Sequence, residues 1–272
     1  MTHAPRRSAS ATELRLLTWN VQHSGPERAQ RQAAWLAGLE EADVLVLTEV
    51  QDSPGGRALV RALRSHGYTV VVPPRTASDY MVIVAARTEK LEMAECRLDF
   101  RPHRCVVVRI LLGTSAIGVV GLYVPSRGRQ DRRNIDKAAF QNAVSTYLPR
   151  LVTDFPEELV VVAGDLNVLE PDHLPHYPLF GDWEYRFYAD FIQLGGLVDA
   201  FRELHPEAVE HSWIGRAGDG YRFDHIFVSS RHREQLRVCR YLHEARLNGL
   251  SDHAAMVAVL TFEEMDKFQF ST

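Results

Sequence analysis

Five apolar runs in this sequence carry, at one end, polar residues of types that suit phosphate chemistry. The run from Leu16 ends in Trp19-Asn20, and the run from Val44 ends in Thr48-Glu49. The run from Leu159 ends in Gly164-Asp165-Leu166-Asn167, Tyr221-Arg222-Phe223 leads into Asp224, and Ser251-Asp252-His253 precedes the final apolar run. A carboxylate at the end of an apolar strand costs stability unless it is paired or meets a cation. One such residue is an ordinary cap or turn former; five on converging strand ends point to a shared site. Asp165 and Asn167 are two apart, so on a strand their side chains share a face. Asp252 and His253 lie where a turn can aim both. Hard oxygen donors without cysteine partners suit Mg²⁺ or Mn²⁺. The simplest chemistry for the set is metal-assisted phosphoester hydrolysis.

The elements that must position these residues are legible from periodicity. Strands are expected at 14–20, 44–50, 68–72, 80–86, 105–112, 116–124, 159–167, 222–229 and 254–262, and helices near 27–40, 56–66, 131–152 and 184–194. Strands outnumber helices, so a simple βαβ alternation fails, and the consecutive strands from 68 to 124 imply antiparallel hairpins. The expected class is α/β (α+β), a four-layer sandwich of two mixed β-sheets flanked by helices. Residues 1–12 read as a flexible arm, 13–262 as a single domain and 263–272 as an appended tail.

The 272 residues are 46% hydrophobic and 24% charged, which excludes a mostly disordered chain. A formal net charge of −4 excludes a histone-like DNA coat protein. It conceals an asymmetry. Between Arg97 and Arg133 eight arginines face two aspartates, whereas between Thr153 and Glu210 thirteen acidic residues face two arginines. A basic phosphate-binding face beside an acidic metal-binding face would give this pattern, and so would plain solvated surfaces. Only Lys90, Lys137 and Lys267 are lysines, a skew that codon bias explains more simply than function. Cys96, Cys105 and Cys239 form no metal-binding or disulfide pattern and fit a reducing cytoplasm. No signal peptide or membrane span is expected, the longest apolar run being Ala116–Val124, and nothing marks an obligate protein partner.

Taken in order, Trp19-Asn20, Thr48-Glu49, Gly164-Asp165-Leu166-Asn167, Arg222-Phe223-Asp224-His225-Ile226 and Ser251-Asp252-His253 resemble the endonuclease/exonuclease/phosphatase superfamily. That superfamily includes deoxyribonuclease I, inositol polyphosphate 5-phosphatases and neutral sphingomyelinases. The resemblance runs from Leu14 to about Leu260. Within it the likeness is greatest to exonuclease III-type abasic-site endonucleases. It rests on Tyr123 in Gly121-Leu122-Tyr123-Val124-Pro125, on the stretch from Gly195 to Glu207 with Asp199, on Ser212-Trp213, and on the 28-residue interval from Asp224 to Asp252.

This resemblance implies roles. Glu49 would be the main metal ligand with Asn20 beside it, and Asp252 would serve the metal region. Asp165 would orient and deprotonate the attacking water. Asn167 and Tyr123 would hold the scissile phosphate. His253, oriented by Asp224, would offset charge on the phosphoryl oxygen. Trp213 would press on a sugar or base, or else be a core aromatic; Tyr123 likewise reads as a core strand residue when taken alone. Apart from the resemblance, Arg127, Arg129, Arg132 and Arg133 follow Tyr123 at the rim of the expected site and would grip flanking phosphates, or form a solvated helix start, with His103 and Arg104 assisting from the neighbouring strand. Two stretches depart from the abasic-endonuclease pattern. Gln22-His23-Ser24-Gly25 replaces the usual (Asn/Asp)-Gly-Leu-Arg, and Thr48-Glu49-Val50-Gln51 replaces Gln-Glu-Thr-Lys. The expectation is therefore a DNA nuclease, with a phosphatase or phosphodiesterase for a small-molecule or lipid-headgroup phosphate as the alternative.

Overall fold

The computed structural model describes residues 11–39, 42–74, 79–88, 90–112, 115–128 and 131–263. The segments 1–10 and 264–272, hence most of the expected arm and tail, lie outside the described residues, as does Arg129. The first strand begins at Ala11 and the last ends at Glu263, so the sheet extends past both expected boundaries.

In chain order the elements are β1 (Ala11–Asn20), α1 (Pro26–Gly38), β2 (Val44–Gln51), α2 (Pro54–Ser65), β3 (Thr69–Val71), β4 (Tyr80–Ala86), β5 (Leu91–Met93), β6 (Cys105–Leu112) and β7 (Ser115–Tyr123). There follow α3 (Asp131–Asp154), β8 (Leu159–Asp165), α4 (Asp182–Gln193), β9 (Leu197–Asp199), α5 (Ala200–Leu204), β10 (Trp213–Ile214), β11 (Gly220–Tyr221), β12 (Asp224–Ser229), β13 (Leu236–Leu242), α6 (Glu244–Leu247) and β14 (Ala255–Glu263). Among the described residues two six-stranded sheets form, ordered β13-β14-β1-β2-β4-β3 and β5-β6-β7-β8-β12-β9. Each is mixed: β1 runs parallel to β2 and β7 parallel to β8, while their other pairings are antiparallel. The expected hairpins form within β3–β4 and β5–β6–β7, but the step from β4 to β5 changes sheets.

Alternation along the strands builds the layers. Leu14, Leu16, Val44, Val46, Val82 and Val84 of one sheet meet Val106, Val108, Val119, Val161 and Ile226 of the other. The intervening Leu17, Trp19, Leu45 and Leu47 pack under α1 and α2 with Ala33, Leu36, Leu59 and Leu63. On the far side Val107, Val120, Val160, Val162 and Phe227 pack under α3 and α4 with Phe140, Leu148, Phe187 and Phe191. The result is the expected four-layer sandwich.

Register decides which side chains meet. Tyr123 on β7 pairs with Asp165 on β8, and Asp165 pairs with Asp224 on β12, so three of the singled-out residues form one row across the second sheet. Asn20 ends β1 beside Thr48 on β2 in the first sheet. A bulge in β2 between Leu47 and Val50 places Glu49 at φ +55°, in the left-handed region, and re-aims its carboxylate. Asn167 is not on a strand. β8 stops at Asp165, and Asn167 follows in a turn at φ +49°. The shared strand face expected for Asp165 and Asn167 is thus replaced by a turn.

Candidate active site

The row Tyr123–Asp165–Asp224 and the end of β1 face each other across one edge of the sandwich. Asn20 donates through Nδ2 to Asp165 Oδ2 at 2.8 Å, joining the two sheets. The other carboxylate oxygen of Asp165 accepts from the Asn167 backbone N–H at 2.9 Å, closing the turn. Asp224 Oδ2 and His253 Nδ1 are 2.7 Å apart. Asp165, Asp224 and His253 are buried, and their ligand atoms lie within 4.8 Å of one another, an arrangement that could hold a metal ion. Asp224 Oδ1 is buried with no hydrogen-bond partner among the described residues.

Two serines brace the loops. Ser251 Oγ donates to the Asn20 carbonyl at 2.6 Å and accepts from the His253 N–H at 3.2 Å. Ser212 Oγ accepts from the N–H groups of Phe223 and Asp224 at 3.0 and 3.1 Å. Ser251 was visible within Ser-Asp-His; Ser212 carried no sequence signal of this role.

Burial pushes the Asp165 carboxyl up, and the nearby Asp224 and Glu49 carboxylates add to it, while His253 and Asn20 pull the other way; it reaches about 8. Burial alone would lower His253, but the Asp224 carboxylate and its hydrogen bond, helped by Asp165 and Asp252, raise it to about 10. At neutral pH the imidazole is therefore a cation, and Nε2 is the ring atom that Asp224 leaves to a substrate. A carboxyl poised near neutrality beside a fixed cation suits general-base chemistry with charge stabilisation.

Glu49 is partly exposed at the rim. Tyr123 donates to its Oε1 at 2.7 Å, and His23 Nδ1 lies 3.4 Å from its Oε2. The Tyr123 proton, expected on the scissile phosphate, is thus spent on Glu49. Burial, with Glu49 and Asp165 nearby, keeps the Tyr123 phenol well above its ordinary range, so it stays a donor. Asn167 Nδ2 donates to the Val124 carbonyl at 3.0 Å, leaving its second N–H for another acceptor. Gln22, one of the departures from the abasic-endonuclease pattern, is held by Arg28 at 2.9 Å through its side-chain oxygen.

Trp213 is half-buried, and its Nε1 donates to Asp252 Oδ2 at 3.0 Å. Asp252 is thereby engaged by Trp213 as well as adjoining His253. The Trp213 ring lies 6.4 Å from that of His253, 5.9 Å from Phe223 and 5.5 Å from Tyr221. Tyr221 stacks on Phe223 at 5.1 Å and on Tyr177 at 4.5 Å. An aromatic wall therefore leads away from His253. Sequence reasoning did not single out Tyr221 and Phe223, although two aromatics flanking Arg222 in an extended stretch were a period-two signal.

The arginines depart most from expectation. Arg104 is buried, donates to Asp79 through Nε and NH2, and carries its guanidinium 4.5 Å above the Tyr123 ring. His103 Nε2 lies 2.9 Å from the same carboxylate. Both therefore serve the wall behind Tyr123. Arg127 is paired with Glu184. Arg132 and Arg133 are exposed on the first turn of α3, and Arg129 lies outside the described residues.

Residues 17–253 match the model of the endonuclease/exonuclease/phosphatase family. The structure is similar to that of an AP endonuclease from Archaeoglobus fulgidus, with a TM-score of 0.75 and 26% identity, covering 91% of this chain and 99% of that one. It shares its fold with the AP endonuclease LMAP from Leishmania major (TM-score 0.74, 21% identity, 92% and 88% covered). It also shares the fold of the 3′ phosphatase NExo from Neisseria (TM-score 0.73, 21% identity, 93% and 100% covered). A 133-residue stretch is 26% identical to the transposon TX1 uncharacterized 149 kDa protein of Xenopus laevis; it is 47% of this chain but spans only 9% of that protein. With its polar strand ends gathered at one edge and the family's pattern spanning nearly all of the sandwich, the chain belongs to the endonuclease/exonuclease/phosphatase family and is a phosphoesterase.

Proposed function

We propose that the chain is a Mg²⁺-dependent phosphodiester hydrolase acting on DNA, in the manner of an exonuclease III-type or abasic-site endonuclease. One observation carries the reading: the carboxyl of Asp165, pushed to about 8 chiefly by its burial and then by the Asp224 carboxylate, lies beside a His253 imidazolium held by Asp224. Asp165 takes the proton of the attacking water as the water oxygen bonds to phosphorus, and Asn20 and the Asn167 N–H fix its orientation. The bond from phosphorus to the leaving sugar oxygen breaks, and that oxygen takes its proton from solvent water. His253, held by Asp224, donates to the phosphoryl oxygen on which negative charge grows. The free N–H of the Asn167 side chain helps to hold the phosphate.

The donor set fits a hard cation. Glu49 offers carboxylate oxygens, and Asn20 turns its Nδ2 to Asp165, so that Oδ1 keeps a lone pair beyond the one used by the Gln22 N–H. These residues would hold Mg²⁺ or Mn²⁺, with Tyr123 orienting Glu49. When bound, the ion would supply Lewis acidity at the phosphoryl oxygen.

DNA is favoured by the likeness to the Archaeoglobus AP endonuclease over nearly the full length of both chains. It is favoured too by the wall of Trp213, Phe223 and Tyr221, which suits a sugar or unpaired base beside the scissile phosphate. The acidic net charge and the internally paired arginines favour the second reading, a phosphatase or phosphodiesterase for a small-molecule or lipid-headgroup phosphate. The three free thiols support a reducing, cytoplasmic setting. Incubation with Mg²⁺ and a duplex carrying one abasic analogue decides between them. Incision at the analogue is expected. No incision, alongside fast phosphate release from a nucleotide or sugar phosphate, would give the second reading its place.

A further inference from the structure

Lys137 lies outside every motif that led to the site, yet its ammonium reaches the site's backbone. It sits on α3 with no exposed side-chain area. Its Nζ donates to the Asn167 carbonyl at 2.7 Å and to Glu184 Oε1 at 2.5 Å, and lies 5.7 and 5.8 Å from the Phe180 and Trp183 rings. Glu184 is itself fixed: its other oxygen accepts from Arg127 and from the Gly181 N–H. A chain of charged hydrogen bonds thus runs from α4 through the head of Lys137 to the turn that carries Asn167.

That turn needs holding. Asn167 has a left-handed backbone at φ +49°, which costs a non-glycine residue free energy unless its surroundings enforce it. Three bonds enforce it here: the Asn167 N–H to Asp165, the side-chain amide to Val124, and the carbonyl to Lys137. The first two tie the residue to the active-site strands, and only the third ties it to the helical layer.

The choice of lysine is itself informative. The chain uses arginine at 28 of its 31 basic positions. Arg222 is equally buried, and its guanidinium spreads over the two carboxylates of Glu170 and Asp199. At Lys137 a compact ammonium spans one carboxylate oxygen and one carbonyl, a geometry that a planar fork does not reproduce.

We propose that Lys137 is a positioning residue: through the Asn167 carbonyl it sets the Asn167 side chain against the phosphate. This rests on the phosphodiesterase reading above. It predicts that loss of Lys137 lowers turnover even when the charge of Glu184 is removed with it. If Lys137 served only to neutralise Glu184, removing both charges would restore the enzyme, because replacing a whole buried pair by neutral groups is often harmless.

The experiment compares the full-length wild type with Lys137→Met, Glu184→Gln, the double variant and Lys137→Arg. Each is assayed with Mg²⁺ on the abasic-analogue duplex and on a chromogenic phosphodiester, with thermal melting and the NMR signals of the Asn167 side-chain amide as further readouts. Lys137→Met alone leaves Glu184 without its ammonium and is expected to melt early. The double variant is expected to melt near the wild type with kcat lowered at least ~10-fold, KM within about two-fold, and shifted Asn167 amide signals. Lys137→Arg is expected not to restore kcat. Wild-type kcat, or unmoved Asn167 signals, in a folded double variant would overturn the proposal. If the wild type cleaves neither substrate, it is the phosphodiesterase reading that fails, and the Asn167 signals still decide whether Lys137 sets that side chain.

Discussion

Tyr123 shows how far a residue's partners can move its role. Its type and place in Gly-Leu-Tyr-Val-Pro suggest a hydroxyl aimed at phosphate. In the structure that hydroxyl donates to Glu49 at 2.7 Å, while Arg104 covers the ring at 4.5 Å and is itself held by Asp79. The proton therefore orients the carboxylate proposed to hold the cation. Tyr123→Phe keeps the ring and its guanidinium contact but frees Glu49 to rotate. Groups that orient a metal ligand typically contribute about 10- to 100-fold in metal affinity or activity. The variant is accordingly expected to need about 10-fold more Mg²⁺ for half-maximal rate, with substrate KM at saturating Mg²⁺ little changed. A Mg²⁺ titration of activity checks it, and an unchanged midpoint would return Tyr123 to the phosphate.

At the scale of elements the site depends on β7 and β8 lying in register at their ends. Gly164 makes this approach possible. Its φ is +149°, and a Cβ there would sit 1.8 Å from the Leu122 carbonyl oxygen. Gly164→Ala is expected to push β8 from β7 where Tyr123 and Asp165 pair. The loss should be at least ~2 kcal/mol in a urea melt, with activity falling further than stability. A wild-type melt and rate would show that the strands tolerate the separation. The same elements show what the sequence could disclose. Long helices were legible because each buries one face, and long strands because they are buried on both faces and read as short continuous apolar runs, so β4 and β6 are found with the expected ends and α3 starts at Asp131. The short pieces β5, β9, β10, β11, α5 and α6, and the edge strand β13 with its exposed Arg237 and Arg240, carry too little periodicity to announce themselves. Within the site, the polar residue types at the strand ends were legible, and the contact of Asp224 with His253 was implied by the family resemblance. The geometry at Glu49 and Asn167 was not legible, because a bulge and a left-handed turn set it.

At the scale of the whole molecule, charge is largely spent inside the fold. Arg222 is buried between Glu170 and Asp199, and Arg202 completes the cluster at Glu170. Burial pushes Glu170 up, but Arg202 and Arg222 reverse it and hold it near 2, against an ordinary value of 4.5. A carboxyl lowered on folding stabilises fully above its unfolded pKa and loses that contribution as pH falls through the folded one. About 3 kcal/mol should therefore disappear between pH 4.5 and 2, read as a falling urea midpoint. A flat midpoint through that window would mean the cluster keeps its acidity in the unfolded chain. The same economy governs nucleic-acid binding. Arg97 pairs with Glu95, Arg101 with Asp79 and Asp136, Arg109 with Glu158, and Arg104 and Arg127 are engaged as described. Each would have to abandon a carboxylate to take a phosphate. Arg132 and Arg133 are exposed and form no ion pair among the described residues. Counterion release scales with the phosphates neutralised, so the slope of log K against log salt for duplex DNA should be shallow, about −2 to −3. Arg132→Ala and Arg133→Ala should each flatten it by about 1, and Arg127→Ala should leave it unchanged while lowering turnover through Glu184 and Lys137. A slope near −6, flattened by Arg127→Ala, would show that these pairs open on binding, and the basic stretch would then be the DNA face its composition suggests.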